Sequence, residues 1–333
     1  MMTSLSDIKP RLKIPLIAAP MFRVSGPDLV IAACRAGVVG SFPSTNCRTP
    51  DEFDRWIRIV KSALRPQDAP FCLTSSFAER RFGMMLLRWC VIGEMVITSV
   101  GAPDAVVEPL HEAGCLVFAD VASVRHARKA IAAGVDGLVL FSTGPGRQTG
   151  WANAVAFVSA VRSFYDGAIV LAGGVPDGGT VFAAELLGCD LCYMGTKLIA
   201  TIESMEPEEY KAMLVSSQCD DFLLSKAFTG LETNTLIASI VADGLDYRNV
   251  STDVTDERAN ELYGRNATSG IKRWHDTRSA GHLVSSVGSI PTVHELIRQT
   301  FEEYAAARQA TRRLPEEGRP VSSSRTHFNQ DEL

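Results

Sequence analysis

Two short segments near the middle of the chain have the composition of a phosphate-gripping surface: Ala172-Gly173-Gly174-Val175 and Tyr193-Met194-Gly195-Thr196. Glycine lets backbone N–H groups come close to phosphate oxygens, and a helix starting just beyond adds a favourable dipole. Thr196 adds a hydroxyl donor. Either segment alone says little, because turns after apolar strands are commonly glycine-rich; the informative feature is the pair. A third segment, Phe141-Ser142-Thr143-Gly144-Pro145-Gly146-Arg147-Gln148-Thr149-Gly150-Trp151, is dense in glycine and polar groups. It could line the face of a cofactor, or be an ordinary irregular loop. Among the histidines, His282 follows Ser279-Ala280-Gly281 in a polar stretch, and His126 lies inside a helical pattern. His111, His275, His294 and His327 have nothing convergent around them. Cys189-Asp-Leu-Cys192 has CxxC spacing, but it straddles the start of an apolar strand, where positions i and i+3 face opposite ways, and no second pair or nearby histidine accompanies it. No metal site is expected, and the eight cysteines read as small buried hydrophobes.

The elements that must position these segments repeat one pattern over the first 200 residues: a short β-branched run, a Gly/Pro/Ser turn, then an amphipathic stretch. The runs are 14–20, 38–43, 71–77, 95–101, 115–121, 137–144, 168–175 and 191–200. Helical stretches at 27–36, 50–64, 103–113, 123–133, 153–164 and 177–187 lie between them. Ser123 is placed to cap its helix, Pro27, Pro50 and Pro103 suit first turns, and Gly37, Gly114, Gly134 and Gly188 mark stops. Near-continuous apolar strands alternating with helices imply a parallel sheet covered by helices. The rival, an open doubly wound sheet, should carry GxGxxG after its first strand; Ala19-Pro20-Met21-Phe22 stands there instead. The expected fold is therefore an α/β (β/α)8 TIM barrel, whose function gathers at the carboxyl ends of the strands and whose phosphate site commonly uses the loops after strands seven and eight. The glycine segments occupy those two loops.

Residues 201–289 break the rhythm with acidic and Asn/Thr-rich stretches and read as a small, mainly helical cap inserted after strand eight, where substrate choice would be written. Residues 1–200 and 290–311 would form the barrel, closed by a helix at Val293–Arg308. Residues 312–333, rich in Arg, Pro, Glu and Ser, have the composition of a disordered tail. The balance of 46% hydrophobic and 21% charged residues suits a single large core. A net charge of −5 leaves no basic footprint for nucleic acid. No apolar run reaches the ~18–20 residues that span a bilayer. The first ten residues, with Asp7 and Lys9, lack an apolar signal core, so a cytoplasmic protein is expected.

Taken together, Ala19–Phe22 with Ser25-Gly26-Pro27, Ala36–Gly40, Ile97–Ser99 with Gly101, Asp120-Val121, Arg125–Ala127, Gly134–Gly137, Leu171–Gly174 and Tyr193–Thr196 are similar to the nitronate monooxygenase (2-nitropropane dioxygenase) family. The likeness covers roughly residues 12–250 and returns at Ser279–Gly281 and Ser289–Ala305. It implies a TIM barrel with a small cap, bound FMN, and oxidation of alkyl nitronates by dioxygen to a carbonyl compound and nitrite. Carried onto this chain, the flavin-contacting turn falls on Ala19, Pro20, Met21 and Phe22. The phosphate-binding backbone falls on Gly173, Gly174, Met194, Gly195 and Thr196, and the strand-six glycine on Gly146.

Three positions depart from the family. Thr74 stands where the family has Asn, putting one flavin hydrogen bond in doubt, and Phe141 where it often has Gln. Most consequentially, the strand-six loop usually reads Gly-Gly-His, and here it is Gly146-Arg147-Gln148. An imidazole titrates near neutral pH and can serve as a base; a carboxamide only donates and accepts hydrogen bonds. A pre-formed nitronate needs no deprotonation, so oxidation of the anion could survive where oxidation of the neutral nitroalkane weakens. The expected catalytic residues are Gln148 and His282, the latter because it stands where the family tends to have Gln, so that the two would exchange roles. Two alternatives stay open: an NAD(P)H-dependent enoyl or quinone reductase on the same scaffold, and a flavin-binding protein without catalysis. The expected partners are a small-molecule substrate and dioxygen.

Overall fold

The computed structural model describes residues 4–76, 94–99, 101, 103–251, 254–264, 269–271 and 276–312. Six parallel strands come first: β1 (Leu16–Ala18), β2 (Gly40–Pro43), β3 (Phe71–Ser76), β4 (Met95–Ser99), β5 (Leu116–Val121) and β6 (Gly137–Phe141). The two-residue β7 (Arg147–Gln148) lies in the loop that follows, outside the barrel, and β8 (Ala168–Ala172) and β9 (Leu191–Met194) complete the parallel set. The eight barrel strands pair in the order β1-β9-β8-β6-β5-β4-β3-β2. A parallel bridge between Ile17 and Val39 brings the ends together, through Ala18 N–H to Val39 O at 2.8 Å and Val39 N–H to Leu16 O at 3.0 Å. The expected barrel is the observed one, and each strand falls inside the apolar run that announces it.

The expected helices also form, and for the expected local reasons. Thr49, Ser123, Asn153 and Asp177 each cap a helix by accepting a backbone N–H. Gly37, in the left-handed conformation at φ 92°, ends the helix Pro27–Ala36.

Period-two alternation splits the core in two. Ile17, Val39, Cys72, Ile97, Phe118, Val139 and Val170 pack inside the barrel, and Ile8 of the short N-terminal helix Leu5–Ile8 joins them. The alternate residues, such as Val96, Val117, Leu138 and Ile169, face the helices outside. At Gly137 a side chain would collide with the Phe118 ring, so the glycine makes room for a large inward aromatic. The last helix, Val293–Arg312, lies against Gly178–Leu186 and Pro27–Ala36; at Gly178 a Cβ would overlap Thr300 O and Tyr304 N.

The segment after β9 holds the helices Glu208–Ser216, Ile237–Ala242 and Asp256–Tyr263. It also carries a feature that composition does not announce, a small antiparallel sheet. Strands β10 (Phe222–Ser225) and β11 (Thr233–Leu236) pair with each other, and β11 pairs with β7. Strand β11 (Thr-Asn-Thr-Leu) is polar and β10 (Phe-Leu-Leu-Ser) holds only three apolar residues, so neither has the longer apolar run that makes the barrel strands legible. The expected disordered tail lies outside the described residues, save for position 312.

Candidate active site

A cavity of about 610 Å³ opens at the carboxyl ends of the barrel strands, a size ordinary for a cofactor or small-ligand site. Its floor is made by residues at the strand ends: Thr74 from β3, Ser99 from β4, Asp120 from β5, Phe141 from β6 and Tyr193 from β9. Its wall includes Ala19–Phe22, Gly144–Gly146, Gly173-Gly174 and Gly195-Thr196. Its roof comes from the segment after β9, through Glu206, Tyr210 and Thr277–Gly281.

The turn after β1 is held from behind. Asn46 Nδ2 donates to Met21 O at 3.1 Å and to Ser25 O at 2.8 Å, and Asn46 Oδ1 accepts the N–H of Arg23 at 2.7 Å. Arg23 takes φ 68°, a left-handed conformation costly for a residue with a Cβ, and these bonds hold it there. Ser25, fully buried, accepts the Met21 N–H at 3.1 Å.

The two glycine loops meet the cavity as backbone. Gly174 takes φ +70°, and a Cβ built on it meets nothing within 4 Å, so the main chain there borders open space. Gly173 takes φ +112°, and a Cβ there would sit 2.7 Å from Pro145 Cδ and from Ser142 Oγ. No described residue accepts a hydrogen bond from the amides of Gly174, Gly195 or Thr196. Met194 has its side chain fully buried in the outer core, and its carbonyl accepts the Ala19 N–H at 2.9 Å.

The roof is stitched to the wall at close range. Gly281 N–H donates to Thr196 Oγ1 at 2.9 Å, and His282 N–H to Gly144 O at 2.9 Å. A Cβ on Gly146 would lie 2.8 Å from the carbonyl carbon of Ala280, so this seam closes only with glycine. Behind it, Arg278 pairs with Glu206 at 2.8 Å, with the side chains 14% and 6% exposed, and stacks its guanidinium 5.0 Å from the Tyr210 ring centroid. The Tyr210 hydroxyl donates to Ser279 O. An arginine already matched by a buried carboxylate contributes structure here rather than free positive charge.

The sequence-derived residues are thus largely gathered. Ala19, Pro20, Met21, Phe22, Thr74, Gly146, Gly173, Gly174, Gly195 and Thr196 all line the cavity. Gln148 is placed by its backbone, opposite Thr233 in the small sheet. Asn234, the next residue on that strand, donates its Nδ2 to Pro145 O at 2.9 Å. His282 begins a 3-10 turn and is exposed, with its ring beside Gly144 and tilted against Phe222 at 6.1 Å between centroids. Its neighbours Gly281 and Leu283 line the cavity. Cys189 and Cys192 are free thiols in the core, and among the described residues no group of His, Cys, Asp and Glu could hold a metal ion. No helix among the described residues is long and apolar enough to cross a membrane.

Asp120 is the functional candidate that motif reading left unassigned, although its signal was present. Leu116 and Phe118 face inward on β5, so position 120 must as well. It is hydrogen-bonded to Ser99, and burial pushes its carboxyl up to about 7. Asp120 Oδ1, Thr74 Oγ1 and Tyr193 Oη are buried without a hydrogen-bond partner among the described residues. Each such atom costs about 1–3 kcal/mol unless something satisfies it.

A model of the nitronate monooxygenase family matches residues 73–303, more than half of the 333-residue chain. The chain belongs to the nitronate monooxygenase family. Members are flavin-dependent oxidoreductases. A nitronate monooxygenase from Neurospora crassa is 28% identical over 218 residues, 61% of this chain and 57% of that protein. A (3aS,4S,5R,7aS)-5-hydroxy-7a-methyl-1-oxo-octahydro-1H-indene-4-carboxyl-CoA dehydrogenase from Rhodococcus jostii is 25% identical over 232 residues, 68% of this chain. That match spans 64% of the Rhodococcus protein's length. The fold is shared with FabK from Thermotoga maritima, at TM-score 0.76 and 21% identity, over 94% of this chain and 99% of that one. It is shared also with a nitroalkane oxidase from Streptomyces ansochromogenes, at TM-score 0.74 and 21% identity, over 92% of this chain and 99% of that one.

The cavity fits the family's cofactor on its own chemistry. Unpartnered polar atoms on the floor suit the polar edge of a planar ring, and the open backbone at Gly174 leaves room for a phosphate. Of the charged side chains lining the cavity, Arg278 is matched by Glu206, so a phosphate would be held by amides rather than by a cation.

Proposed function

We propose that this nitronate monooxygenase family member is an FMN-dependent oxygenase acting on alkyl nitronates or similar stabilised carbanions. Residues 1–200 and 290–311 would hold the cofactor, and residues 201–289 would roof the substrate. The observation that carries the reading is the cavity itself, where Gly173-Gly174 and Gly195-Thr196 present backbone on one side and unpaired hydroxyls line the floor. Bound FMN supplies the electron acceptor and the reactivity with dioxygen. The amides of Gly174, Gly195 and Thr196 bind its phosphate, and Ala19–Phe22 flank the ring. The roof stitched by Gly281 and Thr196 limits the access of water.

Gln148 occupies the family's histidine position and cannot take a proton, so where no other group serves as base the substrate arrives as the anion. Losing a positioned base typically costs ~10²–10⁴ in rate for a step that needs proton transfer. Turnover measured with pre-formed nitronate and with the neutral nitroalkane at equal concentration should differ by at least about 100-fold in favour of the nitronate. Comparable rates would overturn this role for Gln148.

The exchange of roles between Gln148 and His282 has one contact in its favour, the packing of the imidazole beside Gly144 of the strand-six loop. If the exchange operates, His282→Ala lowers turnover of the neutral nitroalkane by ~10²-fold or more and spares the nitronate. Unchanged kinetics on both forms eliminate it.

A second reading draws support from two relatives named as carboxyl-CoA dehydrogenases, 25% and 27% identical. In it, the same cavity would hold a flavin whose redox partners would be NAD(P)H and an enoyl or quinone substrate rather than dioxygen. Loss of flavin absorbance without oxygen separates the readings: a nitronate causes it in the first, NAD(P)H in the second. A flavin-loaded chain inert to both would be a binding protein.

A further inference from the structure

Two carboxylates line the cavity, and their surroundings are opposite. Glu206 has Arg278 at 2.8 Å. Asp120 has no lysine, arginine or histidine beside it among the lining residues. The groups around it are Ser99 on β4, which hydrogen-bonds to it, and two groups that titrate, Cys72 on β3 and Tyr193 on β9. Burial pushes both the thiol and the phenol above their ordinary values, so both keep their protons and neither brings charge. Burial acts on Asp120 in the same sense and holds the proton on it up to about pH 7.

Three strands therefore bring three hydroxyl-bearing groups to one floor, Thr74 from β3, Asp120 from β5 and Tyr193 from β9. Each has an oxygen that no group among the described residues satisfies. Burying three such groups without a partner makes no sense for packing alone, since an apolar floor would cost less. It suits a ligand edge rich in acceptors. The pyrimidine portion of a flavin is such an edge, with two carbonyl oxygens and ring nitrogens in one plane. Thr74 and Phe141 stand where the family has Asn and often Gln, so Asp120 and Tyr193 supply polar contacts to a floor that those replacements leave poorer.

We propose that Asp120 is a proton-holding residue of the cofactor site: as the neutral acid it donates, alongside Thr74 and Tyr193, to the acceptor edge of the flavin ring, and its ionisation weakens the hold on that ring. The inference rests on the cofactor reading above. A neutral acid is a donor, whereas a carboxylate is an acceptor only and repels an electron-rich edge. Binding to the protonated form raises its proton affinity further. Flavin affinity then falls by up to about tenfold per pH unit once the pH exceeds the value at which the free site loses its proton.

The test is a titration of the flavin-free chain with FMN, followed by fluorescence quenching, from about pH 6 to about pH 8.5, for wild type and Asp120→Asn. Asn keeps the shape and an N–H donor but cannot ionise. FMN's own phosphate titrates near pH 6, so the difference between the two proteins is the readout. Wild-type affinity should fall about tenfold more than that of Asp120→Asn across this range. An infrared spectrum of the flavin-free chain supplies a second measurement: the carbonyl stretch of a protonated carboxylic acid should be present at the low end, fade by the high end, and be missing from the variant. Identical affinity profiles, or a carboxylic-acid band that survives in Asp120→Asn, overturn the proposal while leaving flavin binding intact. A wild-type chain that takes no FMN at any pH overturns the cofactor reading and this inference together.

Discussion

Gly174→Val is expected to strip the flavin from the purified chain while leaving the barrel folded. The backbone at Gly174 takes φ +70°, and a Cβ there would meet no protein atom within 4 Å, so a larger side chain fills cavity rather than core. The left-handed conformation adds strain of roughly 1–2 kcal/mol for a residue with a Cβ, more for a β-branched one. That is too little to unfold a domain of this size but enough to lower its melting temperature by several degrees. A phosphate held by the adjacent amides loses its space outright. We expect affinity to fall by at least about 100-fold, equivalent to ~2.7 kcal/mol. Absorbance of the purified variant gives the flavin-to-protein ratio, and circular dichroism reports the fold. Wild-type flavin content in a folded variant would move the phosphate elsewhere. Gly173→Ala is the contrasting case, since its Cβ strikes Pro145 and Ser142 at 2.7 Å and should cost stability as well as flavin.

The second large effect concerns stability and pH. The Asp120 carboxyl is raised from 3.8 to about 7 in the folded chain. The folded state therefore binds more protons than the unfolded state between those values, and the unfolded chain gains relative stability as the pH rises through them. The contribution is fully present below about pH 4 and gone above about pH 7. A tenfold difference in proton affinity between the folded and unfolded chain is worth about 1.4 kcal/mol, giving a ceiling near 4 kcal/mol. Asp120 borders an open cavity and is only half-buried as a residue, although its Oδ1 is sealed, so we expect about 2 kcal/mol. Asp120→Asn cannot ionise. The flavin-free variant should therefore gain about 2 kcal/mol on flavin-free wild type between pH 5 and pH 8, visible as several degrees in melting temperature. Parallel pH dependence in the two proteins would show that the carboxyl ionises freely in the fold.

These two positions stand for two kinds of proposed site residue. Gly174 matters for what its backbone leaves empty, and Asp120 for a proton that its surroundings hold in place. Between them lie three positions at which the sequence resemblance implies a departure from the family. Thr74 keeps a hydroxyl at the floor, Phe141 gives up a polar group, and Gln148 sits in a strand pinned by Thr233 and Asn234. The loop after β6 is braced by the segment after β9 through Asn234 to Pro145 and through His282 to Gly144, while Gly281 ties that segment to Thr196 of the neighbouring loop.

What the amino-acid order determined by itself was the barrel and its glycine loops. Apolar runs of six to ten residues, capped helices and glycine stops are local signals, and each acts within a few residues of where it is written. The runs at 168–175 and 191–200 became β8 and β9, and the loops behind them reached the cavity as expected. Tertiary structure alone decided what depends on convergence. Cap strand β11 is short and polar, and β10 (Phe-Leu-Leu-Ser) is too brief to announce itself; each is defined by its antiparallel partner, β10 by β11 and β11 by β10 and β7. Thr74, Asp120 and Tyr193 are separated by 46 and 73 positions along the chain, and no local pattern can say that their oxygens share one floor without partners. Nor could His282 be placed in advance: it follows the residues that stitch the roof, yet its own ring lies at the exposed edge beside Gly144. Burial and neighbours set a group's chemistry, and both are properties of the closed barrel rather than of any stretch of chain.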